Sequence, residues 1–315
     1  MANTIYLVIP CYNEEAVLRE TTERLKEKLG VLLSEKKISP DSRVIYVDDG
    51  SRDKTWPLIE EIHTENKLFG GIKLSRNRGH QNALLAGLMT VKDKADAVIS
   101  MDADLQDDIN AIDGFIDKFN EGCDIVYGVR SSRKKDTFFK RATAQGFYKF
   151  MGFMGAKVVY NHADYRLMSR RALAALEQFG ETNLFLRGMV TLLGFKTDTV
   201  SYERGERFAG ESKYPFKKML SFAWDGITSF SVKPIKIIIG LGIFVCFISV
   251  AGLVYILVSY LLGHTVQGWT SMMMSIWLLG GIQLLSLGII GEYIGKIYSE
   301  TKGRPRYIIE EFIND

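Results

Sequence analysis

The sequence is poor in cysteine and almost without net charge, and both deficits narrow the class of protein. Its three cysteines, Cys11, Cys123 and Cys246, lie far apart and form no Cys-x-x-Cys pair. This spacing excludes a disulfide framework and fits a reducing, cytoplasm-facing location. The 40 basic residues nearly balance the 37 acidic ones. A general nucleic-acid binder is therefore not expected, because such proteins are usually clearly basic.

The first residues lack the features of a secretory signal peptide. The stretch "MANTIYLVIPCYNEE" has no basic start, and Pro10, Asn13 and two glutamates interrupt its apolar run. A signal peptide needs a positively charged beginning followed by an unbroken apolar segment. We therefore expect no cleaved leader at this end of the sequence.

Charged side chains are also missing from one long stretch near the C-terminus. Between Ile237 and Gly291 the sequence contains no Asp, Glu, Lys or Arg. This span of about 55 residues is long enough for two bilayer crossings, which need about 20 residues each. We predict transmembrane helices at about Ile235–Leu262 and Trp269–Tyr293, separated by "GHTVQG". The alternative, a pair of buried core helices, is disfavoured by these lengths.

Basic residues flank this helical pair at its outer ends only. The loop between the two helices contains no lysine or arginine, so the positive-inside bias places both outer ends in the cytoplasm. The flanking basic residues are Lys233, Lys236, Lys296, Lys302, Arg304 and Arg306.

Residues 1 to about 210 read as strands alternating with helices. The runs "TIYLVIP", "SRVIYVDDGS" and "DAVISMDAD" predict strands, and a stripe of leucines with Asn13 as cap predicts the first helix. Such alternation predicts an α/β fold with a mostly parallel sheet, in which ligands bind beyond the carboxyl ends of the strands. The polar stretches fall at those ends: "CYNEE", "DDGS", "RNRGHQ", "DADLQ" and "GVRSSR".

The stretch "ISMDADLQDDINA" ends an apolar strand in carboxylates. Asp102 and Asp104 are two residues apart, so in an extended segment they share a face and repel each other unless a cation lies between them. Oxygen ligands of this kind suit Mg²⁺ or Mn²⁺, and Gln106 offers a third oxygen. The alternative is a capping and turn cluster on a surface loop, to which we assign Asp107 and Asp108.

A second strand, "SRVIYVDDGS", also ends in paired aspartates. Asp48 or Asp49 could accept hydrogen bonds from a nucleobase or a ribose, as acids at strand ends do in other α/β proteins. In "PCYNEE", Tyr12 could lie near a base and Glu14 near a sugar. A helix cap at Asn13 and a turn at Asp49 would explain the same residues and could coexist with binding.

Residues 214–233 mix aromatic and basic side chains before the first predicted crossing. The stretch "PFKKMLSFAWDGITSF" combines apolar residues with Lys217, Lys218 and Asp225. We interpret it as an amphipathic helix at the membrane interface. An ordinary amphipathic helix packed on the preceding domain is the alternative.

Seven motifs resemble, in order, those of one enzyme family: "VIPCYNEE", "YVDDGSRDKT", "LSRNRGHQNALLAGL", "ISMDADLQDD", "YGVRSSR", "DYRLMSRRAL" and "RFAGESKY". They are similar to the inverting glycosyltransferase family 2 enzymes that load sugars onto polyprenyl phosphate. Relatives of this kind are dolichol-phosphate mannose synthase and the bacterial undecaprenyl-phosphate glucosyl and N-acetylglucosaminyl transferases. The resemblance implies a GT-A, Rossmann-like nucleotide-sugar domain, joined to the interfacial helix and the two transmembrane helices.

The resemblance also implies roles for individual residues. Asp102 and Asp104 match the metal-binding pair, with Gln106 beside them, and the metal would be Mg²⁺ or Mn²⁺. At the position of Arg78 the family often has an apolar residue, so the role of that side chain is open. The positions matching donor-binding residues are Pro10, Tyr12, Asn13, Glu14, Asp48, Asp49, Asn77, Gly79 and Ala103.

The implied acceptor is a lipid phosphate, which is largely ionised at neutral pH and needs charge compensation more than a strong base. Arginines suit this task because their planar fork can grip two phosphate oxygens. Asp164 could act as a base, as an orienting group or in a structural salt bridge, and Arg166 could contact phosphate or brace its loop. The acceptor-side candidates are Arg130, Arg141, Arg166, Arg207, Ser212 and Lys213.

These inferences divide the chain into four parts. They are a cytoplasmic catalytic domain (1–213), the interfacial helix (214–233), the two-helix anchor (234–297) and a cytoplasmic tail (298–315). The resemblance implies transfer of one sugar from UDP-glucose or UDP-N-acetylglucosamine to undecaprenyl phosphate, for use in cell-envelope polysaccharide. We expect a multi-pass protein of the inner or plasma membrane with both termini cytoplasmic. The sequence leaves open whether it forms a homo-oligomer.

Two other functions remain as alternatives. A processive polysaccharide synthase of the same broad family would carry a Gln-x-x-Arg-Trp sequence, and no Arg-Trp pair occurs in this chain. A non-catalytic membrane scaffold that keeps the fold would not need Asp102, Asp104, Gln106 and the basic candidates. A single transfer to a lipid is therefore preferred.

Overall fold

The computed structural model describes residues 2–130, 162–181, 184–203, 205, 233–262 and 268–314. The described residues belong to two units. The first unit comprises those up to 205 together with 304–314, and the second comprises those between 233 and 303.

Described strands of the first unit form one eight-stranded sheet in the order β7-β5-β6-β4-β1-β2-β3-β8. The pairs β1–β2, β1–β4, β2–β3 and β5–β7 are parallel, whereas β6 and β8 run antiparallel to their neighbours. The strands are β1 Ile5–Cys11, β2 Arg43–Asp48, β3 Phe69–Leu74, β4 Ala97–Ser100, β5 Ile125–Arg130, β6 His162–Ser169, β7 Thr197–Tyr202 and β8 Ile309–Ile313.

The helices between these strands cover the sheet and bury its apolar residues. All seven residues of β1 are buried, as expected for a strand covered on both faces. Leu18, Leu25, Leu29 and Leu32 form the buried stripe that the sequence predicts for the first helix. The helices of this unit are α1 Leu18–Ser34, α2 Thr55–Glu65, α3 His80–Val91, α4 Ala111–Asn120, α5 Arg170–Glu177 and α6 Leu186–Leu192. An α/β domain with a mostly parallel sheet is confirmed.

The predicted cap of the first helix is wrong. Helix α1 begins at Leu18, and its N-cap is Val17 rather than Asn13. Asn13 has a φ of 55°, and its side-chain oxygen accepts the N–H of Arg52 at 2.9 Å. Its own N–H donates to Ser51 Oγ at 2.9 Å. Asn13 therefore fastens the loop after β1 to the loop after β2.

The C-terminal segment is more ordered than the predicted tail. Residues Ile309–Ile313 form β8, which pairs with β3 at the edge of the sheet. The Cα partners include Gly71 with Ile313 and Ile72 with Phe312. An added strand at an exposed edge satisfies backbone groups that would otherwise face solvent. The chain thus contributes its last described strand to this sheet.

The second unit contains two long helices, α7 Lys233–Leu261 and α8 Trp269–Thr301. Their bounds agree with the predicted helical pair, although α8 extends past Tyr293. Within the described part of the chain, Leu278–Thr301 is the one segment that is long and apolar enough to cross a membrane, with a mean hydropathy of 1.4. The second crossing therefore stays a prediction. The proposed interfacial helix at 214–233 lies almost wholly outside the described residues.

Candidate active site

The polar residues singled out in the sequence lie at one edge of the sheet. In the parallel pairs, Cys11 is level with Asp48, and Val8 is level with Ser100. The loops that follow β1, β2 and β4 therefore leave the sheet at the same edge. This is the edge at which α/β sheets bind ligands.

The loop after β4 has a tightly turned backbone around the predicted metal pair. Asp104 Oδ1 accepts the N–H of Gln106 at 3.2 Å. Leu105 between them has a φ of 58°, a left-handed conformation that costs about 1–2 kcal/mol for an L-residue. The Gln106 carbonyl accepts the N–H of Gly205 at 2.9 Å. Strain of this kind is retained where the surroundings fix a loop, as at binding sites.

The electrostatics of this loop favour a cation. Burial raises the pKa of Asp102 to about 6, and the charges of Asp107, Asp164 and Asp104 add to the rise, while His80 opposes it. Across the described residues, no group of three or more His, Cys, Asp or Glu side chains is arranged to hold a metal ion by itself. Mg²⁺ usually keeps one or two carboxylates and completes its shell with waters and substrate phosphates. The Asp102–Asp104 pair fits that type of site.

His80 lies between the two acidic groups of the site. Its Nε2 is 3.5 Å from Asp102 Oδ1 and 3.9 Å from Asp164 Oδ2. The residue opens helix α3, directly after the loop "RNRG". The sequence offers one indication of this role, since His80 lies in the polar stretch "RNRGHQ" at the end of a strand. His80 was nevertheless not among the predicted site residues.

Asp164 faces Asp102 because β6 runs antiparallel to β4. Ser100 pairs with Arg166 in that ladder, and continuing the register by two residues places Asp164 opposite Asp102. The hydroxyl of Ser100 donates to the Asp164 carbonyl. An antiparallel strand so close to the centre of the sheet was not predicted from the sequence, and it delivers the acid to the site.

Two arginines engage the Asp164 carboxylate. Arg166 Nη2 donates to Oδ1, while Arg187 donates from Nε to Oδ1 at 3.2 Å and from Nη2 to Oδ2 at 2.9 Å. Burial alone would raise the pKa of Asp164, but the charges of Arg187 and Arg166 outweigh it and lower the pKa well below its usual range. Such a carboxylate is a weak base near neutral pH.

Arg166 is almost completely buried beside Asp164. Its side chain is 2% exposed, and Nε and Nη1 have no hydrogen-bond partner in the described part of the chain. Arg166 therefore braces Asp164 through this ion pair, and its contact with a phosphate stays a prediction. Arg187, which the sequence analysis did not select, is 42% exposed on the same carboxylate.

The aspartates that end β2 are buried and fix neighbouring loops. Asp49 accepts the N–H groups of Arg78 and Gly79 at 2.7 and 2.8 Å, one on each oxygen. Asp48 accepts the N–H of Ser51 at 3.2 Å. Burial raises the pKa of both carboxyls. Asp49 therefore shapes the loop after β3, and Gly79 contributes backbone to it.

The other predicted donor-binding residues differ in whether their side chains are exposed. Tyr12 is 42% exposed and Asn77 is exposed, so both side chains are accessible at the site edge. Pro10 is buried within β1, and Ala103 is 4% exposed with its carbonyl bonded to Thr21 Oγ1. Glu14 donates its N–H to Thr55 Oγ1 at 2.9 Å. Only some of these positions therefore offer side chains to a ligand.

Arg130 ends β5 beside the loop that follows β4. Its Nε donates to the Tyr202 hydroxyl at 3.3 Å, and its Nη2 is 3.8 Å from Asp107 Oδ1. Asp108 Oδ1 accepts the N–H of Asn110 at 2.9 Å, which places Asp108 in a turn, as the sequence predicts. Asp107 instead is 2% exposed and belongs to this buried cluster. The remaining acceptor-side candidates, Arg141, Arg207, Ser212 and Lys213, lie outside the described residues.

Comparison with protein families gives one assignment over the greater part of the chain. The family model described as "Glycosyl transferase family 2" matches residues 6–176. This range contains all of β1 but its first residue, the whole of β2 to β6 and all the carboxylates of the site.

Two curated proteins are similar to almost the whole chain. "Uncharacterized glycosyltransferase YkoT" of Bacillus subtilis is 56% identical over 304 residues, covering 96% of this chain and 90% of that protein. "Bactoprenol glucosyl transferase" of Shigella phage SfX is 39% identical, covering 97% of this chain and 98% of that protein. The similarity therefore extends through the segment that contains α7 and α8.

A solved structure is similar to part of the chain at low sequence identity. Mannosyltransferase PcManGT from Pyrobaculum calidifontis, in complex with GDP-Man and Mn²⁺, gives a TM-score of 0.47. Its identity is 16%, and the match covers 67% of this chain and 59% of that one.

Proposed function

Because the chain belongs to glycosyl transferase family 2, we propose that it transfers one sugar from a nucleotide-diphosphate sugar to a polyprenyl phosphate. The observation that carries the proposal is the position of the Asp102–Asp104 loop within the sheet. On one side lie β1 and β2 with Tyr12 and Asp48, and on the other lies the arginine-rich end of β6. A donor on the first side and an anionic acceptor on the second would meet at this loop.

Asp102 and Asp104 would hold Mg²⁺ or Mn²⁺, with Gln106 close by. A divalent ion bound there supplies Lewis-acid stabilisation of the negative charge that develops on the departing diphosphate. The chain's own contribution is to hold two carboxylates on one strained loop. Burial, with added repulsion from Asp107, Asp164 and Asp104, raises the pKa of Asp102, and a bound cation would offset both effects.

The acceptor phosphate serves as the nucleophile in this reaction. One of its oxygens forms a bond to the anomeric carbon, and the bond from that carbon to the diphosphate oxygen breaks with its electron pair leaving on the nucleotide. The configuration at the carbon inverts. No proton needs to be removed, because a phosphate monoester with a second pKa near 6 is mostly dianionic at neutral pH. The low pKa of Asp164 agrees with a reaction that needs no strong base.

The relatives support the choice of acceptor and sugar. The Shigella phage protein is named a bactoprenol glucosyl transferase, so we propose UDP-glucose as donor and undecaprenyl phosphate as acceptor. UDP-N-acetylglucosamine is the second candidate, since the two sugars differ by one substituent that loop contacts can select.

We place this reaction at the cytoplasmic face of the inner or plasma membrane. The supporting observations are the apolar segment Leu278–Thr301 and the basic residues at the outer ends of α7 and α8. In this proposal α7 also crosses the bilayer, residues 214–233 lie at the interface, and both chain ends are cytoplasmic. A homo-oligomer is compatible with this arrangement.

A transfer assay tests the proposed function directly. The full-length protein in detergent is incubated with radiolabelled UDP-glucose or UDP-N-acetylglucosamine, undecaprenyl phosphate and Mg²⁺. We expect label to pass into the organic phase as one sugar per lipid. A long polymer would instead indicate a processive synthase, and the absence of lipid-bound label with every donor would indicate a scaffold.

A further inference from the structure

The loop between β3 and α3 carries the predicted donor-binding residues Asn77 and Gly79, and it is held at both ends. At its far end, two backbone N–H groups donate to the carboxylate of Asp49. At its near end, the N–H of Ser75 donates to the carbonyl of Ile308 at 3.0 Å. Ile308 directly precedes β8. A distant, C-terminal segment therefore fixes the start of this loop.

The pairing of β8 with β3 is irregular beside the same loop. Lys73 is level with Glu311 and Leu74 is level with Ile309, so the ladder passes over Glu310. A bulge of this kind re-aims a side chain and is common next to binding sites. Here the carboxylate of Glu310 accepts a hydrogen bond from Lys73 Nζ at 3.1 Å. The irregularity therefore places an acid on Lys73.

Lys73 in turn lies next to Asp48, the buried acid that ends β2. The two residues are level in the parallel β2–β3 ladder. Burial raises the pKa of the Asp48 carboxyl, and the charge of Lys73 acts in the opposite direction. Lys73 Nζ also lies 5.8 Å from the centre of the Trp56 ring. Acidic and basic side chains thus alternate across three neighbouring strands, from Asp48 on β2 through Lys73 on β3 to Glu310 on β8.

We propose that Ile308 and β8 are positioning elements of the donor site, which hold the loop after β3 and, through Glu310, keep Lys73 beside Asp48. This inference rests on the proposed function, and it requires no contact between β8 and the nucleotide. Undocking of the strand would release one end of the loop and the Lys73 amine together. The binding-competent form would then be less populated, and the apparent donor affinity would fall in proportion.

Two substitutions in the full-length protein loosen the strand while leaving the donor loop unchanged. Ile313→Ala removes an apolar side chain that packs on the core, and Glu310→Gln removes the charge that holds Lys73. For Ile313→Ala we expect the Kd of the UDP-sugar, measured calorimetrically with Mn²⁺, to rise about 3- to 10-fold. For Glu310→Gln we expect a rise of about 2- to 5-fold, the scale of a partly exposed ion pair. The KM for undecaprenyl phosphate should stay within about twofold in both variants, a split that general destabilisation would not produce.

Glu121→Gln is the matched control for Glu310→Gln. Glu121 pairs with Lys118 at 2.9 Å, and the two glutamates are 58% and 51% exposed. Lys118 also contacts Asp198 of β7, so this pair lies at the opposite edge of the sheet. The control should leave the Kd of the UDP-sugar unchanged.

The wild type provides a second test that needs no substitution. Coupling is reciprocal, so a donor that binds better when β8 is docked must also stabilise the docked strand. Saturation with the UDP-sugar and Mn²⁺ should therefore slow amide exchange at residues 309–313. The slowing should exceed that at residues 197–199, which belong to the opposite edge strand.

The outcomes distinguish this inference from the proposed function. Unchanged donor affinity in both variants, an equal loss in Glu121→Gln, or unchanged exchange in β8 on donor binding would each overturn the role of β8 alone. A wild type that binds the UDP-sugar and protects β8, but labels no lipid, would overturn the proposed transfer and leave the role of β8 intact. A wild type that binds no UDP-sugar would overturn both.

Discussion

Tyr202 donates its phenolic O–H to the buried carboxylate of Asp107 at 2.6 Å, and this bond joins the end of β7 to the loop that follows β4. The second oxygen, Asp107 Oδ2, is buried and has no hydrogen-bond partner among the described residues. Arg130 reaches both members of the pair from β5. Two separate strands, β5 and β7, thus meet at one carboxylate beside Asp102 and Asp104.

Removing the Tyr202 hydroxyl should destabilise the protein without emptying its core. Tyr202→Phe keeps the ring and its edge-to-face contact with Tyr165, but it leaves Asp107 without its main donor. An unsatisfied buried group costs about 1–3 kcal/mol, so we expect a lower Tm in thermal unfolding of the detergent-solubilised chain. Tyr6→Phe is the control, because the hydroxyl of Tyr6 makes no hydrogen bond within the described residues. Equal shifts for the two variants would contradict the role of the Tyr202–Asp107 bond.

The loops after β2 and β3 are in close contact at Gly50. A larger residue at this position should weaken donor binding. Gly50 has a φ of 65°, and a Cβ there would lie 2.6 Å from the backbone of Arg76 and Asn77. Gly50→Ala adds about 1–2 kcal/mol of backbone strain to that clash. The substitution should displace the loop that Asp49 holds through Arg78 and Gly79. We expect weaker UDP-sugar binding in calorimetry together with a lower Tm.

Gly30→Ala is the matched control for this substitution. Gly30 lies in α1, and a Cβ at this position meets nothing within 4 Å. Alanine is favoured over glycine in a helix interior by about 0.8–1.0 kcal/mol, so the control should raise the Tm slightly and leave donor binding unchanged. If Gly50→Ala bound the donor as tightly as Gly30→Ala, the two loops would not be coupled.

The sequence predicts those parts of the site that depend on neighbouring residues in the chain, but not those that depend on contacts between distant residues. Strands β1, β2 and β4 and the Asp102–Asp104 loop were predictable, because each strand carries its own apolar run and its own polar end. The pairing of β6 with β4 was not predictable, because this antiparallel contact joins distant parts of the chain. The convergence of Arg187 and His80 on Asp164 follows from that pairing.

Two residues lie in surroundings that their local sequence did not indicate. Asn13 is a common residue type at helix caps, but its backbone N–H and its side-chain oxygen bond to the loop after β2 instead of to α1. Asp107 lies in a run of aspartates typical of a turn, yet Tyr202 from β7 encloses it. In both cases a hydrogen bond to a distant residue determines the environment of the side chain, and the neighbouring sequence does not.

The C-terminal strand depends on a glycine in β3. A Cβ on Gly70 would lie 2.6 Å from the Ile313 carbonyl oxygen and 2.9 Å from Ile45 Cδ1. Gly70→Ala should therefore loosen β8 from the sheet edge. We expect faster proteolysis and faster amide exchange at residues 309–313. Gly180→Ala, where a Cβ meets nothing within 4 Å, should leave exchange in β8 unchanged, and equal protection in both variants would contradict the dependence.

Asp104→Asn gives the most direct test of the metal assignment. The amide keeps the shape of the side chain, including an oxygen for the Gln106 N–H, but it removes one of the two negative charges that would hold Mg²⁺ or Mn²⁺. Transfer should nearly disappear, and donor binding should lose its dependence on added Mn²⁺ in calorimetric titrations. Asp93→Asn is the control, because Asp93 is 81% exposed and is ion-paired only loosely with Lys92, at 3.7 Å. Unchanged turnover in Asp104→Asn would rule out Asp104 as a metal ligand, whereas a loss of transfer with intact Mn²⁺-dependent donor binding would move its role from binding to the transfer step.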